Sequence, residues 1–116
     1  MNKEEFVEAI KLVVVEGAIK GVESILLNPP GRQPDPKLLE SSAWFKELNQ
    51  HDKEMVMKIV ARSVDMGVFS FLCVLDGVRV IEDWEERGQL ILNYEKNGNS
   101  TWLNNPNDGD YLHDLL

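Results

Sequence analysis

The stretch MGVFSFLCVLDGVRVIEDW, residues 66–84, changes its periodicity at Leu75-Asp76-Gly77. Before the junction, apolar residues recur at helical spacing: Val56, Val60, Val64, Val68, Phe71 and Leu75. After it they alternate, as in strands. The junction predicts an α+β fold. An N-terminal helical layer of two long helices and a short one packs on a small C-terminal antiparallel β-sheet of about three strands. From Met66 to Leu75 the only polar side chain is Ser70, so this end of the helix is expected to be buried almost all round.

Working towards the N-terminus, the helix that ends at Leu75 is predicted to begin near residue 51, with Asn49 as its cap. A short helix follows Asp35-Pro36, a capping residue before proline at the first helical position. It reaches about Leu48, with a possible break at Ser41-Ser42, and Trp44 and Phe45 are its packing residues. Four of the five prolines lie between Pro29 and Pro36, which reads as an ordered loop. The first helix spans about residues 3–27. Asn2 and Glu5 stand at capping-box spacing. Phe6, Ile10, Val13, Val14, Gly17, Gly21, Val22 and Ile25 form its stripe. Gly17 and Gly21 are expected to let another element pack closely on this helix.

Working towards the C-terminus, Val78–Trp84 and Gln89–Glu95 are predicted strands, joined by a charged loop over 82–88. Asn97-Gly98 is a two-residue hairpin signal, since both residues tolerate positive φ. It sets Glu95 opposite Ser100, Tyr94 opposite Thr101, Asn93 opposite Trp102 and Leu92 opposite Leu103. Residues 104–110 form a turn-rich loop. The segment Tyr111–Leu116 returns to apolar character and is expected to dock.

A chain of 116 residues is expected to make one domain, with its helical part at 1–75 and its sheet part at 76–116. It is long enough to bury a core without a disulfide or metal. The single cysteine, Cys73, rules out an internal disulfide and fits a reducing compartment. No signal-peptide layout and no long apolar span are visible, so the expected location is the cytoplasm.

Net charge is −8, unevenly distributed. Residues 1–75 hold 11 acids and 9 bases, whereas residues 76–116 hold 9 acids and 3 bases. Such a surface repels the phosphate backbone and anionic membranes. It permits a basic protein partner, which it would steer inward, while the plainer reading is that the acidity serves solubility.

Catalytic and metal motifs are sparse. His113 stands near Asp108, Asp110 and Asp114, a set with acid–base or metal-ligand chemistry, but no second histidine lies nearby. A calcium loop over Asn104–Gly109 fails, because Pro106 takes a ligand position and Leu115 replaces the closing glutamate. Cys73 lacks a basic neighbour and reads as a core residue. His51 sits in a first helical turn. No glycine belongs to a phosphate-cradling motif. No cofactor is expected.

Glu82-Asp83-Trp84-Glu85-Glu86 is the most suggestive segment: a tryptophan among acids suits an interface anchor ringed by charge, although large aromatics are mostly buried and a strand-end tryptophan tucked under the sheet, with its acids in solvent, is the more ordinary reading. Together with Asp108 and Asp110 it forms the candidate protein-interaction site. In size and charge, though in no motif, the chain resembles small acidic bacterial proteins that neutralise a basic toxin. The resemblance transfers no residues. It implies a non-enzymatic module, such as an immunity protein that occludes a cationic site. Two alternatives stand beside it. One is a small-molecule binder or enzyme with its pocket between sheet and helices, near His113, Asp110 and Tyr94. The other is a homo-oligomeric subunit, for instance a homodimer, that uses the first helix or an open sheet edge.

Overall fold

A computed structural model describes all residues, 1–116. Its elements run α1 (Lys3–Ile10), a π-helical segment (Lys11–Glu16), α2 (Gly17–Leu27), α3 (Pro36–Glu47), α4 (Gln50–Leu75), a 3-10 turn (Trp84–Glu86), β1 (Asn93–Lys96), β2 (Asn99–Trp102) and α5 (Leu112–Leu115). This is an α+β chain with helices first and an antiparallel hairpin last. No helix is long and apolar enough to cross a membrane. The chain divides into two compact units, one of Met1–Leu12 with Met66–Leu116 and one of Val13–Asp65. The division falls within helical segments.

The unit of residues 13–65 is helical. Asp35 caps α3 through its side chain, which accepts from the Lys37 amide at 2.8 Å, and Pro36 fills the first helical position. α3 continues through Ser41-Ser42 without a break. The hydroxyls explain why: Ser41 donates back to the Lys37 carbonyl, and Ser42 donates across to the Leu26 carbonyl of α2 at 2.7 Å. α2 and α3 pack on each other, and Phe45 is buried. Trp44, the other expected packing residue, is exposed.

The predicted first helix is present over 3–27, but its centre is a π-helical segment. A π turn carries more residues than an α turn, so the buried face rotates along it. The 3.6-residue stripe therefore loses register. Val13 is 71% exposed while Val15 is buried. Gly17 and Gly21 are exposed, with nothing within 4 Å of where a Cβ would stand. The close-packed seam expected there does not form.

The other unit carries the junction. Asn2 and Glu5 form the predicted capping box on α1, with bonds of 2.8 and 3.1 Å. α4 ends as the sequence indicates. The Gly77 amide bonds the Val74 carbonyl and the Val78 amide bonds the Cys73 carbonyl. This Schellman arrangement needs a residue at positive φ, and Gly77 supplies +77°. The hairpin has the predicted register, Asn93 with Trp102 through Lys96 with Asn99. Asn97 and Gly98 take the left-handed conformation with φ of 52° and 80°.

The core of this unit joins Val7 of α1, Leu72 of α4 and Leu112 of α5, with Phe6, Val68, Leu75, Leu92, Leu115 and Leu116 around them. The C-terminal segment therefore docks, as its apolar character predicts. Full burial of Val7, Leu72 and Leu112 contributes about 1.5–3 kcal/mol each, and the partly covered residues around them less.

Two expectations fail here. The sheet has two strands, not about three, because Val78–Trp84 and Gln89–Leu92 form none. Near the second of these, a side chain takes the place of a neighbouring strand. The Leu90 carbonyl and the Leu92 amide both bond Asn104, so beyond the Asn93–Trp102 pair only the Leu92 carbonyl still meets the opposite segment, through the Leu103 amide at 2.8 Å. Nor is the end of α4 buried all round: Met66 is 63% and Phe71 61% exposed. With no third strand, that face of α4 lacks the cover the sheet would have provided.

Candidate functional site

Between the end of α4 and β1 lies a long loop, and every residue from Gly77 to Ile91 is exposed. Its ends are held together. The Asn104 amide nitrogen donates to the Leu75 carbonyl at 2.6 Å and to the Leu90 carbonyl at 2.8 Å. Its oxygen accepts from the Leu92 amide and from the Trp102 indole, both at 2.8 Å. Asn104 is buried and uses both polar atoms, so it acts as a fixed pin. A loop whose two ends meet is an Ω-loop, a form often given to function.

Trp84 stands in the middle of the loop, at the start of the 3-10 turn, and is 67% exposed. The Arg87 guanidinium lies over its ring, 3.9 Å from the centroid. Arg87 also donates to the Gly77 carbonyl, and Glu82 accepts from the Gly88 amide. These contacts brace the loop internally. Glu82, Asp83, Glu85 and Glu86 are all exposed, and none forms an ion pair. Val78, Ile81, Leu90 and Ile91 are exposed beside them, Ile81 at 70%. Beneath the loop is a cleft of about 680 Å³ whose lining includes Arg79, Arg87, Glu82, Asn104 and Tyr111. His113, Asp110 and Tyr94, which were expected near a pocket mouth, are not among its walls.

The remaining predicted site residues lie elsewhere. Asp108 and Asp110 are exposed, and no hydrogen bond or ion pair joins them to Glu82–Glu86. Their backbones have another task. The Lys3 ammonium, on a side chain buried in this unit, donates to the carbonyls of Asn105, Asp108 and Asp110. The loop that resembled a failed calcium site therefore does wrap a cation, the protein's own lysine.

His113 pairs with a carboxylate that the sequence reading missed. Its Nδ1 lies 2.7 Å from Asp76, whose side chain is 1% exposed. Asp76 also accepts from the Leu112 and His113 amides, so it anchors the first turn of α5. Phe69 meets the imidazole edge-on and Tyr111 stacks on it. Asp114 lies 3.4 Å from Nε2 and accepts from the Tyr111 amide. No three His, Cys, Asp or Glu side chains converge in a metal-holding group. The arrangement orients α5.

A signal for Asp76 was present. An acid at the C-terminal end of a helix is disfavoured by the helix dipole, so it needs a compensating partner. Asn104 gave no such signal, because an Asn-rich run reads as a solvated turn. Cys73 is buried and has no basic partner. His51 is exposed and touches only Asp52 among polar side chains.

No protein-family model matches this chain, and no curated protein or solved structure matches it significantly.

Proposed function

We propose that this chain is a non-enzymatic protein-interaction module, with the loop over residues 77–91 as its docking element and a basic protein as its partner. The observation that carries the reading is the exposure of Trp84, 67%, at the centre of a loop pinned at both ends. A large aromatic left in water on a braced loop suits an anchor, since interface hot spots favour tryptophan in a ring of polar residues. The neighbouring carboxylates supply attraction to a cationic surface and speed encounter. Occlusion of a cationic site on the partner, as an immunity protein occludes a basic toxin, is the mechanism that suits this arrangement. Asp108 and Asp110 have a smaller part in this reading, because their backbones serve the Lys3 clasp.

The test is capture from a lysate on immobilised protein at low salt, compared with a variant carrying Glu82→Lys, Asp83→Lys, Glu85→Lys and Glu86→Lys. The expected result is a basic protein held by the natural chain, released by high salt and absent from the variant. Equal retention by both would remove the docking assignment.

A further inference from the structure

The Arg87 guanidinium sits on the open face of Trp84 and pairs with none of the surrounding carboxylates. Both residues are exposed, and the one other polar contact of the guanidinium is its bond to the Gly77 carbonyl at 3.3 Å, which an exchange on the indole would also give up. A guanidinium on an indole face is an attractive arrangement in its own right, because the π-cloud is negative. Four acidic side chains flank the indole in sequence, Glu82, Asp83, Glu85 and Glu86. Of these, only Glu82 makes a hydrogen bond. The site therefore has the parts of a cation receptor, an aromatic platform and unpaired carboxylates, and a cation already rests on the platform.

We propose that Trp84 is the receptor for an arginine side chain of the basic partner, and that Arg87 holds the place of that side chain in the free chain. The proposal rests on the interaction-module reading and adds the chemistry recognised and the means of restraint. The incoming guanidinium replaces Arg87 on the indole and is attracted by the carboxylates that Arg87 leaves unpaired. Arginine suits the site better than lysine, because its planar group stacks on the ring while its edges donate to carboxylates. Arg87 makes the exchange a competition. It protects the indole when no partner is present and lowers affinity for weakly basic surfaces.

The experiment uses fluorescein-labelled hexa-arginine as probe and reads anisotropy on the full chain at low salt. Arg87→Gln is compared with Arg79→Gln, which removes the same charge from the same loop without touching Trp84. The expected result is that Arg87→Gln binds the probe about two- to fivefold more tightly than Arg79→Gln, the range for an exposed cation–π contact. The difference should vanish when both are placed on a Trp84→Leu background. In the natural chain, the indole N–H resonance missing from Trp84→Leu should also move on titration with the probe. Equal affinities for the two glutamine variants, or an unmoved Trp84 resonance, would overturn the receptor and leave the acidic docking surface in place. Binding that is indifferent to reversal of Glu82, Asp83, Glu85 and Glu86 would overturn both.

Discussion

Residues 77–91 and residues 103–116 belong to the same compact unit and are both poor in regular structure, yet they use their side chains in opposite ways. The later segment turns inward. Leu103, Asn104 and Leu112 are buried, and the carbonyls of Asn105, Asp108 and Asp110 converge on Lys3. The earlier segment turns outward. Its apolar residues Val78, Ile81, Trp84, Leu90 and Ile91 all face water. A loop becomes structure when its polar groups find buried partners and its apolar groups find a core. Where the ends are fixed but the apolar side chains stay exposed, the loop keeps its shape without a core of its own, which is what the proposed docking role requires.

Asn104 gives the sharpest way to break this comparison, because it belongs to the inward segment but holds the outward one. Asn104→Ala would leave the Leu75 and Leu90 carbonyls, the Leu92 amide and the Trp102 indole without their partner. The expected cost is about 3 kcal/mol in urea denaturation, since each unsatisfied buried group costs about 1–3 kcal/mol before relaxation. Trypsin should then cut faster at Arg79 and Arg87. A loop equally resistant in the variant would show that its order does not depend on the pin.

A smaller effect is expected at Asp76. Asp76→Ala removes the acceptor of the Leu112 amide, the His113 amide and the imidazole. About 2 kcal/mol should be lost. Hydrogen exchange at residues 112 and 113 should accelerate more than exchange at the hairpin. Uniform acceleration would mean that α5 and the hairpin open together.

The smallest effect belongs to the outward segment. Trp84→Ala should change stability by no more than about 0.5 kcal/mol, the usual range for an exposed site. A thermal melt checks this directly. A large loss of stability would make Trp84 part of the fold and remove the main contrast between the two segments.

Local rules served the sequence reading well. Asn2 and Glu5 predicted the first cap, Asp35-Pro36 the start of α3, Gly77 the end of α4 and Asn97-Gly98 the hairpin register. Each depends on a few neighbouring residues, so it survives ignorance of the rest. Readings that depended on distant partners fared worse. The stripe on the first helix assumed a constant 3.6-residue period, and the π segment broke it. The Val78–Trp84 strand assumed a neighbour to pair with, and none is there. At the candidate site, the run of acids around Trp84 was legible from local composition, but the exposure of Trp84 was not, because a strand-end tryptophan more often lies under its sheet. The pin at Asn104, the Asp76 anchor and the Arg87 stacking were not, because each joins residues that only the fold brings together or a rotamer that sequence does not specify.

The Lys3 clasp has a consequence in time. The carbonyls that hold Lys3 and the leucine beside Val7 are made roughly a hundred residues after Lys3 and Val7 themselves. On the ribosome, α1 waits with an apolar face and an ammonium unsheltered while residues 13–65, and then the rest of its own unit, emerge. α1 therefore completes its packing only once α5 has been made, so closure of their unit comes late.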